Sequence, residues 1–261
     1  MGSMNQLATA DRARIVAALV DGVGVNATCR ITGKAKHTVL KLLADLGDAC
    51  LDYHDKHVRN LACKRIQVDE IWSFCYAKQK NVPPDKQGTF GFGDVWTWTA
   101  IDADTKLIVG YHVGGRSGDY AEDFMWDVAG RLTHRVQLSS DGHNAYLRAV
   151  DEAFGANVDY AQVIKIFGPD RAGPGRYSPP VCIAAERKVL TGNPDPDHIS
   201  TSYAERQNLS MRMGMRRFTR LTNAFSKKID NHRHAIALYF MHYNYCKVHG
   251  TLRVTPAMAA V

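Results

Sequence analysis

The chain has 261 residues, 45% of them hydrophobic, with 33 Lys and Arg against 26 Asp and Glu, a formal charge of +7 and a pI near 9.1. That is enough chain for one substantial domain and a smaller one around an unstapled core, and the basic excess points to a polyanionic partner. Cys29, Cys50, Cys63, Cys75, Cys182 and Cys246 form no C-x-x-C pair, which argues against a zinc ribbon or a disulfide framework; with no signal peptide and no apolar run near the ~18 residues of a membrane span, a reducing cytoplasm is expected.

Met1, Gly2 and Ser3 ahead of Met4 look like a cloning scar. Residues 11 to 47 read as three short helices, "DRARIVAALVDG", "NATCRITG" and "KHTVLKLLADLG", punctuated by Gly22 and Gly33, with Asn26 and Thr38 as caps. Val39, Leu42, Leu43 and Leu46 share the core face of the third segment, which leaves Lys34, Lys36, His37 and Lys41 near its exposed start. A helix-turn-helix presents its reading helix to a major groove in this way; a helical bundle that contacts protein fits the same pattern. Residues 48 to 63 form a connecting helix or linker.

Beyond residue 63 the period changes. "KRIQVDEIWSFCYA", "DVWTWTAIDAD" and "KLIVGYHVGG" read as three successive, mostly antiparallel strands. There follow a helix "DYAEDFMWDVAGRL", a strand "RVQLSSD", a helix "NAYLRAVDEAFG", a strand "AQVIKIF", a Gly- and Pro-rich loop from 168 to 180, and two C-terminal helices. The expected fold class is α/β, a ribonuclease H-like mixed sheet with flanking helices, preceded by a small all-α helix-turn-helix domain. The expected organisation is residues 1–47 for that domain, 48–63 for the linker and 64–261 for the sheet domain with its C-terminal helices.

Carboxylates carry the chemistry. Asp69 lies inside a strand, where Asp is disfavoured, so it is either a solvent-facing residue of an edge strand or part of a site. Asp141 ends a strand just before Gly142, at the carboxyl edge where α/β sheets bind ligands, although Asp-Gly is also an ordinary turn. Glu205 stands nearly alone among cations in "TSYAERQNLSMRMGMRRFTRLTNAFSKK". On a helix running through this stretch, Arg212, Arg216 and Arg220 fall within about 60° of Glu205, with Ser202 and Asn208 on the same side, and Met211, Met215, Phe218, Leu221 and Phe225 opposite. Such a helix can lie along a phosphate backbone and deliver one acidic ligand. Gathered together, Asp69, Asp141 and Glu205 would repel one another; a divalent cation that accepts a few carboxylates plus water and phosphate resolves the conflict, and Mg²⁺ has that preference.

Other polar residues read as structural. Glu70 points to the opposite strand face from Asp69, Asp102 and Asp104 belong to a hairpin turn, and Asp119, Glu122 and Asp123 suit a helix start. His232 and His234, two apart on a helix, are poor co-ligands. His143 reads as a helix-start residue, Trp96 and Trp98 as core, and the 168–180 loop, lacking a Gly-Lys-Ser/Thr ending, as a mobile segment with Arg171 and Arg176 available to DNA.

"VDEIWSF", "SSDGHNAY", "YAERQNLSMRMGMRRFTRLTNAFSKK" and "FMHYNYCKVHGTLRVTPA" together resemble a bacterial DDE transposase of the insertion-sequence-one type, in the ribonuclease H-like transposase and integrase superfamily. The resemblance implies Asp69, Asp141 and Glu205 as catalytic, metal-holding triad, two Mg²⁺ ions with Mn²⁺ as substitute, and cleavage and strand transfer by direct phosphoryl transfer. It also implies double-stranded DNA partners, namely the element's terminal inverted repeats and the target, and a homodimer or higher homo-oligomer in a bacterial, nucleoid-associated setting. The expected DNA contacts are Lys34, Lys36, His37, Lys41, Asn208, Arg212, Arg216, Arg217, Arg220, Lys227 and Lys228. The chain lacks the cysteine-rich zinc-binding segment with which better-known members begin, and Lys247 stands where relatives often have Arg. An inactive DNA-binding regulator and a nuclease that cuts without joining remain the alternatives.

Overall fold

A computed structural model describes residues 7–168, 181–219 and 223–261; Met1 to Ser3, Arg171, Arg176, Arg220 and Leu221 lie outside them. The first three helices are α1 (Thr9–Val20), α2 (Val25–Thr32) and α3 (Lys36–His57). They close on Ile15, Val39 and Leu42, all buried. The expected caps differ: Gly24 and Ala35 occupy the N-cap positions, while Asn26 and Thr38 lie one or two residues inside the helices. Gly33, at φ +67°, ends α2 in the left-handed region that glycine tolerates.

The third helix does not stop near residue 47. It runs 22 residues to His57, so residue 47 lies inside one continuous helix that extends through much of the 48–63 segment expected as a connecting helix or linker. The reason is packing: α3 lies along the C-terminal helix α7 (Ile229–Tyr245), with Leu43 and Cys50 buried against Ala237 and Leu238. A Cβ at Gly47 would run into the Cβ and backbone of His234. Gly47, which reads as a helix terminator, instead lets α3 and α7 approach closely at His234.

The sheet contains β1 (Arg65–Cys75), β2 (Gly93–Asp102), β3 (Ile108–Gly114), β4 (Val136–Asp141), β5 (Val158–Phe167) and β6 (Cys182–Thr191), in the order β3-β2-β1-β4-β5-β6. The pairs β1/β2, β2/β3 and β5/β6 are antiparallel, and β1/β4 and β4/β5 parallel. Three antiparallel strands extended by parallel strands on the far side of β1 form the ribonuclease H-like mixed sheet. The sixth strand was not expected from the sequence.

Helices α4 (Gly118–Ala129) and α5 (Ala145–Phe154) cover one face, over Ile66, Val68, Trp98, Val109 and Leu138. The other face carries Ile71, Ile101 and Ile108 under α6 (Ser202–Gly214) and α7. A short helix α8 (Pro256–Ala259) follows. The alternation of β1 therefore sends Glu70 toward α5 and Asp69 toward α6. The expected long helix through residues 201–228 is broken: α6 ends at Gly214, Met215 is extended, and Arg216–Phe218 make a separate 3-10 turn.

Candidate active site

Asp69 and Asp141 come together through strand register. In the parallel β1/β4 pair, Ile66 faces Leu138 and Gln67 faces Ser139, where the pairing ends; two residues further along each strand lie Asp69 and Asp141, at the edge where the strands part. One oxygen each of Asp69, Glu70 and Asp141 lies within 4.8 Å of the others. Glu70 therefore joins the group from which its strand direction seemed to exclude it. Cβ alternation fixes where a side chain starts, but the longer Glu chain bends at the strand edge.

Each member is held by the fold. The Asp69 Oδ1 accepts from the Glu70 backbone N–H at 2.9 Å, and Oδ2 accepts from Asn208 Nδ2 at 2.8 Å. Asp141 Oδ1 accepts from the His143 N–H at 3.0 Å, an Asp turn that opens α5. Glu70 Oε1 takes two bonds from Arg116, at 3.1 and 2.8 Å, and Oε2 accepts from the Tyr146 hydroxyl at 3.2 Å.

Crowding shifts the protonation. Burial, then the neighbouring Glu70, Asp141 and, more weakly, Glu205, pushes the Asp69 carboxyl up to about 7 against the hydrogen bond from the Glu70 N–H. Glu70 is likewise raised, by burial and Asp141, with Arg116 opposing.

Glu205 lies on the first turn of α6, whose start is fixed by β1: Gln67 Oε1 accepts from the backbone N–H of Tyr203 at 2.8 Å and of Ala204 at 3.3 Å. Both Glu205 oxygens are occupied, one by the Thr201 hydroxyl and one by Lys165 Nζ, each at 2.5 Å. Glu205 is outside the 4.8 Å group formed by the other three acids.

An oxygen-rich pocket of this kind suits a hard divalent cation. One polar atom supports the fit: the Asn208 Oδ1, beside Asp69, is buried without a hydrogen-bond partner among the described residues. Like charges in contact and a stranded acceptor are both relieved by a cation with its water shell.

No protein-family model matches the chain, and no curated protein matches it in sequence. Among solved structures, a piggyBac transposase synaptic complex with hairpin DNA is similar, at 9% identity and a TM-score of 0.46, over 93% of this chain and 68% of that one. A likeness at that score carries no weight of its own; the ribonuclease H-like fold rests on strand order and register.

The expected DNA-contact residues divide. Asn208 is buried and serves Asp69, not an outward face. Arg217 donates to Ser226 Oγ at 2.7 Å, which contacts His232 Nδ1 at 2.9 Å, while His232 Nε2 meets Ser73 Oγ at 3.1 Å. Burial lowers the Arg217 pKa to about 10 and that of His232 to about 3, so this chain of groups is an interior brace. Lys34 pairs with Asp11 at 2.6 Å and Lys41 with Asp45 at 2.7 Å. Arg212 is half-buried on α6.

Lys36, His37, Arg216, Lys227 and Lys228 are exposed. Lys36, Arg216, Lys227 and Lys228, with Arg30, line one groove of about 560 Å³ between the N-terminal helices and the segment ahead of α7, and none of its described lining residues is acidic. Cations far apart in sequence thus face one trough. The residues that sequence reasoning missed are Glu70, Arg116, Thr201 and Lys165; an Asp-Glu pair in the middle of a strand was the available signal for the first.

Proposed function

We propose that this chain is a DNA transposase that cleaves and joins DNA strands by direct phosphoryl transfer, with Asp69, Asp141 and Glu205 as the acidic set. The observation that carries the reading is the meeting of Asp69 and Asp141 at the parting edge of β1 and β4, with the Asp69 carboxyl driven up to about 7 by burial and then by its acidic neighbours. Groups perturbed by both burial and like charge mark functional sites. The sequence motifs around the same three acids, which resemble DDE transposases of the insertion-sequence-one type, support the same reaction.

Asp69 and Asp141 would hold divalent cation, Mg²⁺ with Mn²⁺ as a substitute, and Glu205 would complete the set after giving up Lys165 or Thr201. When bound, the cation supplies charge stabilisation and a more acidic nucleophile in an in-line displacement. The chain's own contribution is placement: Asn208 fixes the Asp69 carboxylate, Gln67 fixes the start of α6, and His143 fixes Asp141. Water is the first nucleophile and the freed 3′-hydroxyl the second, with no covalent protein intermediate. The three N-terminal helices act as a helix-turn-helix on element-end DNA, and the basic groove they share with Arg216, Lys227 and Lys228 carries the phosphate backbone. Terminal inverted repeats and target DNA are the partners, a homodimer or higher homo-oligomer pairs the ends, and the setting is the bacterial cytoplasm.

Glu205→Gln tests the assignment. Strand transfer should vanish while salt-sensitive DNA binding stays near the parent level; full joining activity in the variant would remove Glu205 from the reaction.

A further inference from the structure

The turn between β3 and α4 carries a cation that none of the motifs above employs. Arg116 follows Gly114 and Gly115, where a side chain would collide with the Tyr120 ring, and this tight passage directs it back across the sheet edge. Its guanidinium lies 4.4 Å over the Trp96 ring. Nε and Nη2 both donate to Glu70 Oε1, at 3.1 and 2.8 Å.

A guanidinium has five N–H donors. Two serve Glu70, and the rest have no hydrogen-bond partner among the described residues. The two ends of this ion pair differ in exposure: the Glu70 side chain is 2% exposed and that of Arg116 is 48% exposed. One edge of the fork is locked on a buried carboxylate while the other faces solvent, and that carboxylate lies within 4.8 Å of Asp69 and Asp141. A DNA strand approaching these acids meets repulsion. A planar donor held rigidly by an aromatic ring and a carboxylate offers the complementary contact, because phosphate oxygens match the guanidinium fork.

We propose that Arg116 binds a non-bridging phosphate oxygen of the DNA strand beside the acidic cluster, with Glu70, Tyr146 and Trp96 as its positioning residues. The location of the contact rests on the proposed function; the phosphate-binding property does not. If Arg116 only neutralised buried Glu70, removing both charges together would cost nothing in DNA binding.

The parent is therefore compared with the double variant Glu70→Gln/Arg116→Met in chelator, with Glu70→Gln as the intermediate. Binding of a fluorescein-labelled duplex is followed by anisotropy over a salt series, with thermal melting as the fold control. The double variant should melt with Glu70→Gln, yet its log–log salt slope should be shallower than the parent's by about 0.9, one phosphate contact. Equal slopes would overturn the proposal and leave Arg116 as a counter-ion. Should the double variant not fold, Arg116→Gln alone, which can still donate to Glu70, reads the same slope, with the same loss expected and an unchanged value contradicting it. Because no joining step is required, failure of the parent to transfer strands would sink the transposase reading and leave this result decidable.

Discussion

Asp69 is the residue whose environment makes the sharpest demand. Its carboxyl keeps its proton up to about 7 in the folded chain, whereas in the unfolded chain it titrates in the ordinary carboxylate range. Between those limits the folded state binds more protons, so this group's contribution to stability declines as pH rises through the window and is lowest above about 7. Asp69→Asn should therefore raise the melting temperature more on the alkaline side of that window than on the acid side. An equal gain on both sides would mean that crowding does not set the Asp69 protonation. Lys165 makes a second demand, since it occupies one oxygen of Glu205 at 2.5 Å. Lys165→Gln should tighten Mn²⁺ binding several-fold, read by electron paramagnetic resonance of the free ion; weaker binding would show that Lys165 supports the site and does not compete for it. Asp69 was legible in the sequence because it breaks a local rule, an Asp inside a strand, and Asp141 because it ends a strand at the carboxyl edge where α/β sheets bind ligands. Glu70 and Arg116 were not, because alternation describes Cβ directions and says nothing of where long side chains meet.

Elements deliver these groups through a few specific contacts. The Gln67 side chain caps α6 at Tyr203 and Ala204, so one β1 residue sets the position of Glu205. Gln67→Leu should cost roughly 1 kcal/mol, as loss of a helix cap does, and should reduce strand transfer with little change in DNA affinity; unchanged transfer would mean that α6 finds its position without the cap. Gly47→Ala should destabilise by about 1–3 kcal/mol, the usual cost of overpacking, because the new methyl meets His234; a neutral melt would contradict the close α3–α7 approach. The order and type of the first five strands were readable from period and punctuation. The length of α3 was not, since Gly47 has the same local signature whether it ends a helix or admits a neighbour. The break after α6 had a visible cue in Gly214, outweighed by the Met and Arg periodicity on both sides, and β6 lacks clean alternation in "CIAAERKVLT".

Across the described residues, the basic excess resolves into cations held by local acidic or interior partners and cations that line one groove. Lys34 and Lys41 are neutralised locally, Arg217 braces the interior, and Lys36, Arg216, Lys227 and Lys228 share the groove. Lys36→Gln and Lys228→Gln should each lower the salt slope of duplex binding by about 0.9, whereas Lys41→Gln should leave it unchanged. A comparable loss in Lys41→Gln would move the DNA track away from the groove. Net charge predicted a polyanion from the sequence, but which cations are available to it depends on partners supplied by distant segments.

The central claim, metal-dependent joining at the Asp69 and Asp141 edge, is tested most directly by strand transfer of a pre-cleaved element end with a free 3′-hydroxyl into plasmid DNA. The parent and Asp141→Asn are each assayed with Mg²⁺ and with chelator. Joining by the parent with Mg²⁺ alone, lost in the variant while DNA binding persists, is the predicted result; joining by Asp141→Asn, or binding by the parent with no joining, would contradict it.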